Sequence, residues 1–307
     1  MQHRHRLHNA LGPGATTVVV LVAALTMAAC GVNRGVELPP RTYPITTSGD
    51  TIWLNRDGVL AALDTRDGSV DEFDDFSIGT GVEGVVRDGE LWVSDWFTDV
   101  IRRFDLDRRT ALEPIAAPGP LVMADAGDHV WFTSIGGTLY RTDDALRAEP
   151  VGFDRPACDV VVDGDRIWVV SAEAQSVSVL SAESGDVLST VDVDRPVCAL
   201  ARAGSAMFGV SASGKQIVTF DRTDGSVVRT QPLRPDPDAE RGLPSTADTL
   251  VGDGDVLWSR APQGIFVFDP SKGAVTTTVL ASQPYAPVVL DNGRVWLFVE
   301  RFARAIR

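Results

Sequence analysis

Two tetrapeptides of one pattern, Arg155-Pro156-Ala157-Cys158 and Arg195-Pro196-Val197-Cys198, stand 40 residues apart. Each sets a guanidinium, which can hold a carboxylate or phosphate through two parallel hydrogen bonds, close to a thiol. Glu83, Arg260, Glu300 and Arg301 add mixed charge. Such a set reads either as an anion clamp or as arginines that neutralise neighbouring acids. The run Asp95-Trp96-Phe97-Thr98-Asp99 carries two adjacent rings in a polar surround, which suits a binding anchor or a lid over a core. Tyr285, in Gln283-Pro284-Tyr285, is a further loop aromatic of the same kind. The carboxylates Glu83, Asp95, Asp99 and Glu300 could serve acid–base hydrolysis if the fold brought them together; spacing alone does not.

Other chemistries lack material. Three of the four histidines, His3, His5 and His8, lie in the first eight residues, which leaves His129 beside a turn. A catalytic triad or a histidine metal site is therefore not supported, and no metal and no cofactor is expected. The strings Asp163-Gly164-Asp165 and Asp253-Gly254-Asp255 fit hairpin turns and lack the remaining ligands of a calcium loop. The three cysteines, Cys30, Cys158 and Cys198, show no C-x-x-C spacing. With 42 acidic against 28 basic residues the chain carries a formal charge of −14, which disfavours nucleic acid as a partner.

The elements that position these residues come from an internal repeat. A glycine turn followed by an aromatic residue recurs at Trp53, Trp92, Trp131, Trp168, Phe208, Trp258 and Trp296, with spacings of 39, 39, 37, 40, 50 and 38. In each unit an apolar strand precedes a tight turn such as Asp88-Gly89, Asp163-Gly164, Asp253-Gly254 or Asn292-Gly293, and the aromatic strand follows. A third strand such as Val59–Asp64 leads into an Asp-x-x-x-Gly turn, as at Asp64 to Gly68, Asp221 to Gly225 and Asp269 to Gly273, with a serine version at Ser181 to Gly185. A more polar fourth strand closes the unit. Helical patterning is nearly absent after the N-terminal segment. A period near 40 residues with four short strands per unit predicts an all-β, single seven-bladed β-propeller over residues 43–307.

The seventh unit ends after its third strand, so Val36-Glu37-Leu38 is expected to supply its outer strand and close the ring. In such a blade the loops between the second and third strands emerge on one face with the links between blades. That upper face collects Glu83, Asp95, Trp96, Phe97, Asp99, Arg155, Arg195, Arg260, Tyr285, Glu300 and Arg301. The long link Arg234 to Pro244 falls there too, as either a binding insertion or a solvated loop. Cys158 and Cys198 occupy equivalent points of neighbouring innermost strands, which predicts a disulfide between them in an oxidising compartment.

The N-terminus carries Arg4 and Arg6, an apolar run from Ala15 to Ala29, and then Leu25-Thr26-Met27-Ala28-Ala29-Cys30-Gly31. The run is short for a transmembrane helix. Its end resembles the lipobox of bacterial lipoproteins, with Met27 where leucine is usual. The resemblance implies a signal peptide over 1–29, lipidation of Cys30, a tether and closing strand over 30–42, and an extracytoplasmic protein held to the cell membrane by its lipid alone. An ordinary secretory signal or an uncleaved anchor are the other readings. Cleavage removes Arg4 and Arg6 and takes the net charge to −16.

The unit from Ile52 to Gly68, with Trp53 and Gly58-Val59-Leu60-Ala61-Ala62-Leu63-Asp64, resembles the repeats of PQQ-like and YVTN/NHL-type bacterial propellers. The resemblance implies the fold and carries no function with it. The expected function is non-catalytic binding of a protein, peptide, glycan or small ligand. The alternatives are a lyase or hydrolase using carboxylates and arginine in the central funnel, and a scaffold of a cell-envelope complex. The streptogramin lyases share a propeller of this size but use histidine, which this chain lacks there.

Overall fold

The computed structural model describes residues 36–305, apart from 80–82, 172, 174, 212–215, 233–249, 262–263, 281–288, 292–293 and 300–301. A two-residue strand, β1 (Val36–Glu37), precedes the first full sheet. That sheet holds β2 (Thr42–Ser48), β3 (Thr51–Arg56), β4 (Val59–Asp64) and β5 (Val70–Ser77). The second holds β6 (Gly84–Arg87), β7 (Glu90–Asp95), β8 (Val100–Asp105) and β9 (Thr110–Ala116). The third holds β10 (Pro120–Asp125), β11 (Val130–Ser134), β12 (Leu139–Thr142) and β13 (Ala148–Pro150). The fourth holds β14 (Asp159–Asp163), β15 (Arg166–Ser171), β16 (Ser176–Ser181) and β17 (Val187–Asp192). The fifth holds β18 (Val197–Ala203), β19 (Ala206–Ser211), β20 (Gln216–Phe220) and β21 (Val227–Pro232). The sixth holds β22 (Leu250–Asp253), β23 (Val256–Ala261), β24 (Gly264–Asp269) and β25 (Ala274–Leu280). The last holds β26 (Val289–Asp291), β27 (Arg294–Val299) and β28 (Phe302–Ala305). Among the described residues these are antiparallel four-stranded sheets in simple up-and-down order, and β1 completes the last, as β1-β28-β27-β26. Val36 stands opposite Ala303 and Glu37 opposite Phe302.

The repeated aromatic lies on the second strand of every sheet. Trp53, Trp92, Trp131, Trp168, Phe208, Trp258 and Trp296 are all 7% exposed or less. Second strands are buried along nearly their whole length because a neighbouring sheet covers each face, whereas outer strands such as β5 and β17 show mostly exposed positions. The apolar clusters lie between sheets rather than within them. One joins Trp131 and Leu139 of the third sheet to Val160 and Ile167 of the fourth. Another joins Trp296, Phe298 and Ala303 of the last sheet to Ile52 and Leu54 of the first, with Leu38 among them. Each fully buried large side chain contributes about 3 kcal/mol to this stacking. The innermost strands β2, β6, β10, β14, β18, β22 and β26 each contact the next, and β26 also lies beside β2.

The turns follow their residues. The N–H of Gly68 donates to the carbonyl of Asp64, and Gly185, Gly225 and Gly273 repeat this bond to Ser181, Asp221 and Asp269, all at 2.9 Å. Gly68 has φ +79°, and a Cβ there would come within 2.9 Å of Val36, so the turn is held against β1. Asp88 and Gly89 both have positive φ (49° and 78°), the pairing that a type I′ hairpin demands. At Asp163-Gly164 and Asp253-Gly254 only the glycine does. His129 is half-buried, and its Nδ1 lies 2.7 Å from the carbonyl of Thr142.

Candidate functional site

One end of the sheets carries the irregular chemistry. The register pairs the start of each innermost strand with the end of its second strand, as in Gly84 with Val93 and Asp159 with Val170. Loops after the second strand therefore share an end with the links that enter the next sheet. A repeated backbone clip fixes these loops. Ile78 N donates to Gly58 O, Ala117 N to Asp99 O, Ala157 N to Gly137 O and Val193 N to Gln175 O, at 2.7–2.9 Å.

Within the second sheet the clip is built by the acids that flank the aromatic pair. Asp95 is 1% exposed, and its Oδ2 accepts from Thr98 Oγ1 at 2.6 Å and from Arg102 Nε at 2.9 Å. Asp95 is thus engaged within its own sheet. A carboxylate at that depth needs a cation, and Arg102 of the adjacent strand supplies it. Asp99, at φ +56°, accepts from Gly119 N through Oδ1 at 2.8 Å, so it latches the loop to the next link.

The rings between them are presented outward. Phe97 is 73% exposed and meets half-buried Trp96 edge to face, with centroids 6.0 Å apart. On the other side of Gly119 stands Ile135, 64% exposed, whose N–H donates to the Gly119 carbonyl. A Cβ on Gly119 would come within 2.6 Å of Ile135 Cγ2, so glycine lets this side chain and the latched aromatic loop share one link. Nothing in the sequence singles out Ile135. Its exposure in a short turn after a fully buried strand appears only in the fold.

Nearer the axis lie two carboxylates. The carbonyl of Glu83 accepts from Ser94 N at 3.0 Å, just before the aromatic loop, so Glu83 stands beside that loop. Among the described residues its carboxyl has no ion-pair partner, and burial, aided by repulsion from Asp159, pushes its pKa up to about 8. Asp159 was not anticipated. Its Oδ1 accepts from Val160 N at 2.9 Å and its Oδ2 from Leu200 N at 2.7 Å, which ties β14 to β18. Burial raises its pKa to about 6, and the two N–H donors hold it below Glu83. A signal existed: Asp159 is an acid at the head of an innermost strand, where the matching pentapeptide has Ala199.

The remaining expected residues divide. Arg155 donates to Ser176 Oγ at 2.9 Å and stands 3.9 Å from both Asp154 and Asp192, so the structure favours neutralisation over an anion clamp there. Arg195 is exposed on the following link. Arg260 lies on β23 opposite Ile265. Tyr285, Glu300, Arg301, Cys30 and the 234–244 link lie outside the described residues. Cys158 is exposed just before β14, and Cys198 is half-buried on β18. Each thiol is directed to a carbonyl of its own sheet, Cys158 to Val170 at 3.4 Å and Cys198 to Val210 at 3.8 Å.

No protein-family model and no curated protein sequence matches the chain. Solved structures do. A chain of the mitotic checkpoint complex, a WD40-type propeller, superposes with a TM-score of 0.70 at 14% identity, over 95% of this chain and 99% of that one. The fold is a β-propeller. The PQQ-like propeller BamB from Moraxella catarrhalis aligns with a TM-score of 0.58 at 17% identity, over 85% of this chain and 82% of its own. The computationally designed Ika8 protein aligns at 0.65 and 14% identity, over 89% of this chain and all of that one. At such identities the likeness concerns the propeller fold alone.

Proposed function

We propose that this propeller is a seven-bladed ring closed by β1, exported and anchored through Cys30, that binds a protein partner on its upper face without catalysis. The observation that carries the binding reading is the exposed apolar surface of Phe97, Trp96 and Ile135, held on latched loops. Aromatic side chains fixed before binding lose little freedom on contact, the usual character of an interface anchor. The ring reading is supported by the pairing of β1 with β28 and by the apolar cluster between the last and first sheets. Anchoring and export are supported by the lipobox-like Ala28-Ala29-Cys30 after an apolar run. Partner binding also fits a role as a scaffold of an envelope complex.

The test is positional. A photo-crosslinking residue at position 97 is expected to give a discrete protein adduct in intact cells, and one at Asp67, in a turn at the opposite end, to give none. Equal labelling from both positions, or none from 97, removes the reading. Cys30→Ser is expected to shift the protein from the membrane fraction to the soluble fraction. A lyase or hydrolase is the second reading, favoured by one observation, the Glu83 and Asp159 pair whose pKa values are pushed apart. Asp95 and Asp99, engaged in the loop, do not contribute to it.

A further inference from the structure

We infer that the segment taken on the upper face is basic, with a lysine or arginine next to an apolar residue: the apolar side chain covers Phe97 and Ile135, and the cation enters toward Glu83 and Asp159. This rests on the upper-face reading and names the chemistry of its partner. The apolar patch alone would accept many occupants; its surroundings select one.

Charge complementarity carries the choice. Around the aromatic loop and the links of the fourth and fifth sheets stand Glu83, Asp99, Asp154, Asp159, Asp192 and Asp194. Asp154 and Asp192 have side chains 91% and 89% exposed. Against them, among the described residues, stand Arg155, already engaged by Ser176, Arg102, already paired with Asp95, and Arg195. An acidic segment docked here would meet this excess and the carboxyl of Glu83, which has no cation beside it among the described residues. A basic one favours the ionised form of Glu83 and supplies its counter-charge. The distance is suitable. Glu83 is bonded through its carbonyl to Ser94, two residues before Trp96, so one short extended segment spans both features.

The test uses the purified mature chain and three labelled decapeptides, alternating Leu-Lys, Leu-Ser and Leu-Glu, followed by fluorescence anisotropy at physiological salt. The Leu-Lys peptide is expected to bind about tenfold or more tighter than Leu-Ser, with Leu-Glu weakest. Glu83→Gln is expected to weaken Leu-Lys binding about three- to tenfold and to leave Leu-Ser unchanged. Asp144→Asn, the same charge change in an exposed turn at the opposite end, controls for the protein's general negative charge and is expected to change neither. Phe97→Ala is expected to weaken both peptides. If Leu-Ser matches Leu-Lys while Phe97→Ala weakens both, the basic partner is wrong and the upper-face reading stands. If Leu-Lys binding responds to neither Phe97→Ala nor Glu83→Gln, both fall. If Asp144→Asn weakens Leu-Lys binding as much as Glu83→Gln does, the attraction is general and the inference is overturned. Absence of Leu-Lys binding up to about 1 mM overturns it as well.

Discussion

The carboxylate of Asp163, 3% exposed at its side chain, is gripped by both arms of the Arg222 guanidinium from the neighbouring sheet. Arg202 Nη1 approaches the same oxygen at 3.5 Å. The expected Asp-Gly hairpin is thus also the lock between the fourth and fifth sheets. Removing one partner of a buried pair strands the other charge. Arg222→Ala is expected to cost about 2–4 kcal/mol in urea unfolding, and Arg202→Ala, from an arginine 56% exposed, less than about 1 kcal/mol. Equal costs would contradict this division.

Glu83 makes stability fall as pH rises. Its pKa in the folded chain, about 8, lies above that of an unfolded glutamic acid, so the folded state keeps the proton longer. Stability is full below pH 4.5 as far as this group is concerned, declines from there to pH 8, and stays at the lower level beyond. Asp159 adds a smaller decline that ends near pH 6. Glu83→Gln is expected to raise stability at pH 8.5 by about 1–3 kcal/mol and to flatten the profile between pH 6 and 8. Unfolding midpoints measured across that range check it.

Gly252 of β22 lies directly against the backbone of β18. A Cβ there would collide with the carbonyl oxygen of Arg202 on β18, and backbone cannot swing aside as a side chain can. Gly252→Ala is expected to cost more than about 3 kcal/mol or to abolish folding. Gly136→Ala, whose nearest atom is Ser134 Oγ at 3.8 Å, is expected to stay within about 0.5 kcal/mol.

The tryptophans are not equivalent. Trp92 donates its indole N–H to Glu90 at 2.8 Å, and Glu90 also pairs with Arg103 at 2.7 Å. The indole nitrogens of Trp131 and Trp168 are buried without a hydrogen-bond partner among the described residues. Phenylalanine at position 168 removes an unsatisfied donor, while at 92 it removes a hydrogen bond to a charged group. Trp92→Phe is therefore expected to destabilise by about 1 kcal/mol more than Trp168→Phe, as read by thermal unfolding.

Thiol reactivity should rank by exposure. Cys158 is exposed and Cys198 partly covered. In the folded mature chain maleimide is expected to modify Cys158 first, and Cys198 more slowly, with peptide mass mapping as the readout. A disulfide-linked peptide joining the two, in protein prepared without reductant, would bear out the pairing expected from the sequence and remove this ranking.

Local chemistry was enough to reveal the repeat. A glycine with positive φ, an aromatic on a strand covered on both faces and an Asp-x-x-x-Gly turn each depend on residues a few positions apart, so Trp53, Gly68 and Asp88-Gly89 announced the strands and turns they occupy. The partners of charged side chains lie on the next strand or on a sheet about 40 residues away. Nothing beside Asp95 in the sequence indicates that Arg102 holds it below the surface, or that Asp159 reaches across to Leu200. Only packing decided which acids were consumed by the fold and which, like Glu83, have no cation beside them among the described residues: electrostatic pairing is a matter of distance in space and desolvation, and neither is written in the spacing of residues along a chain.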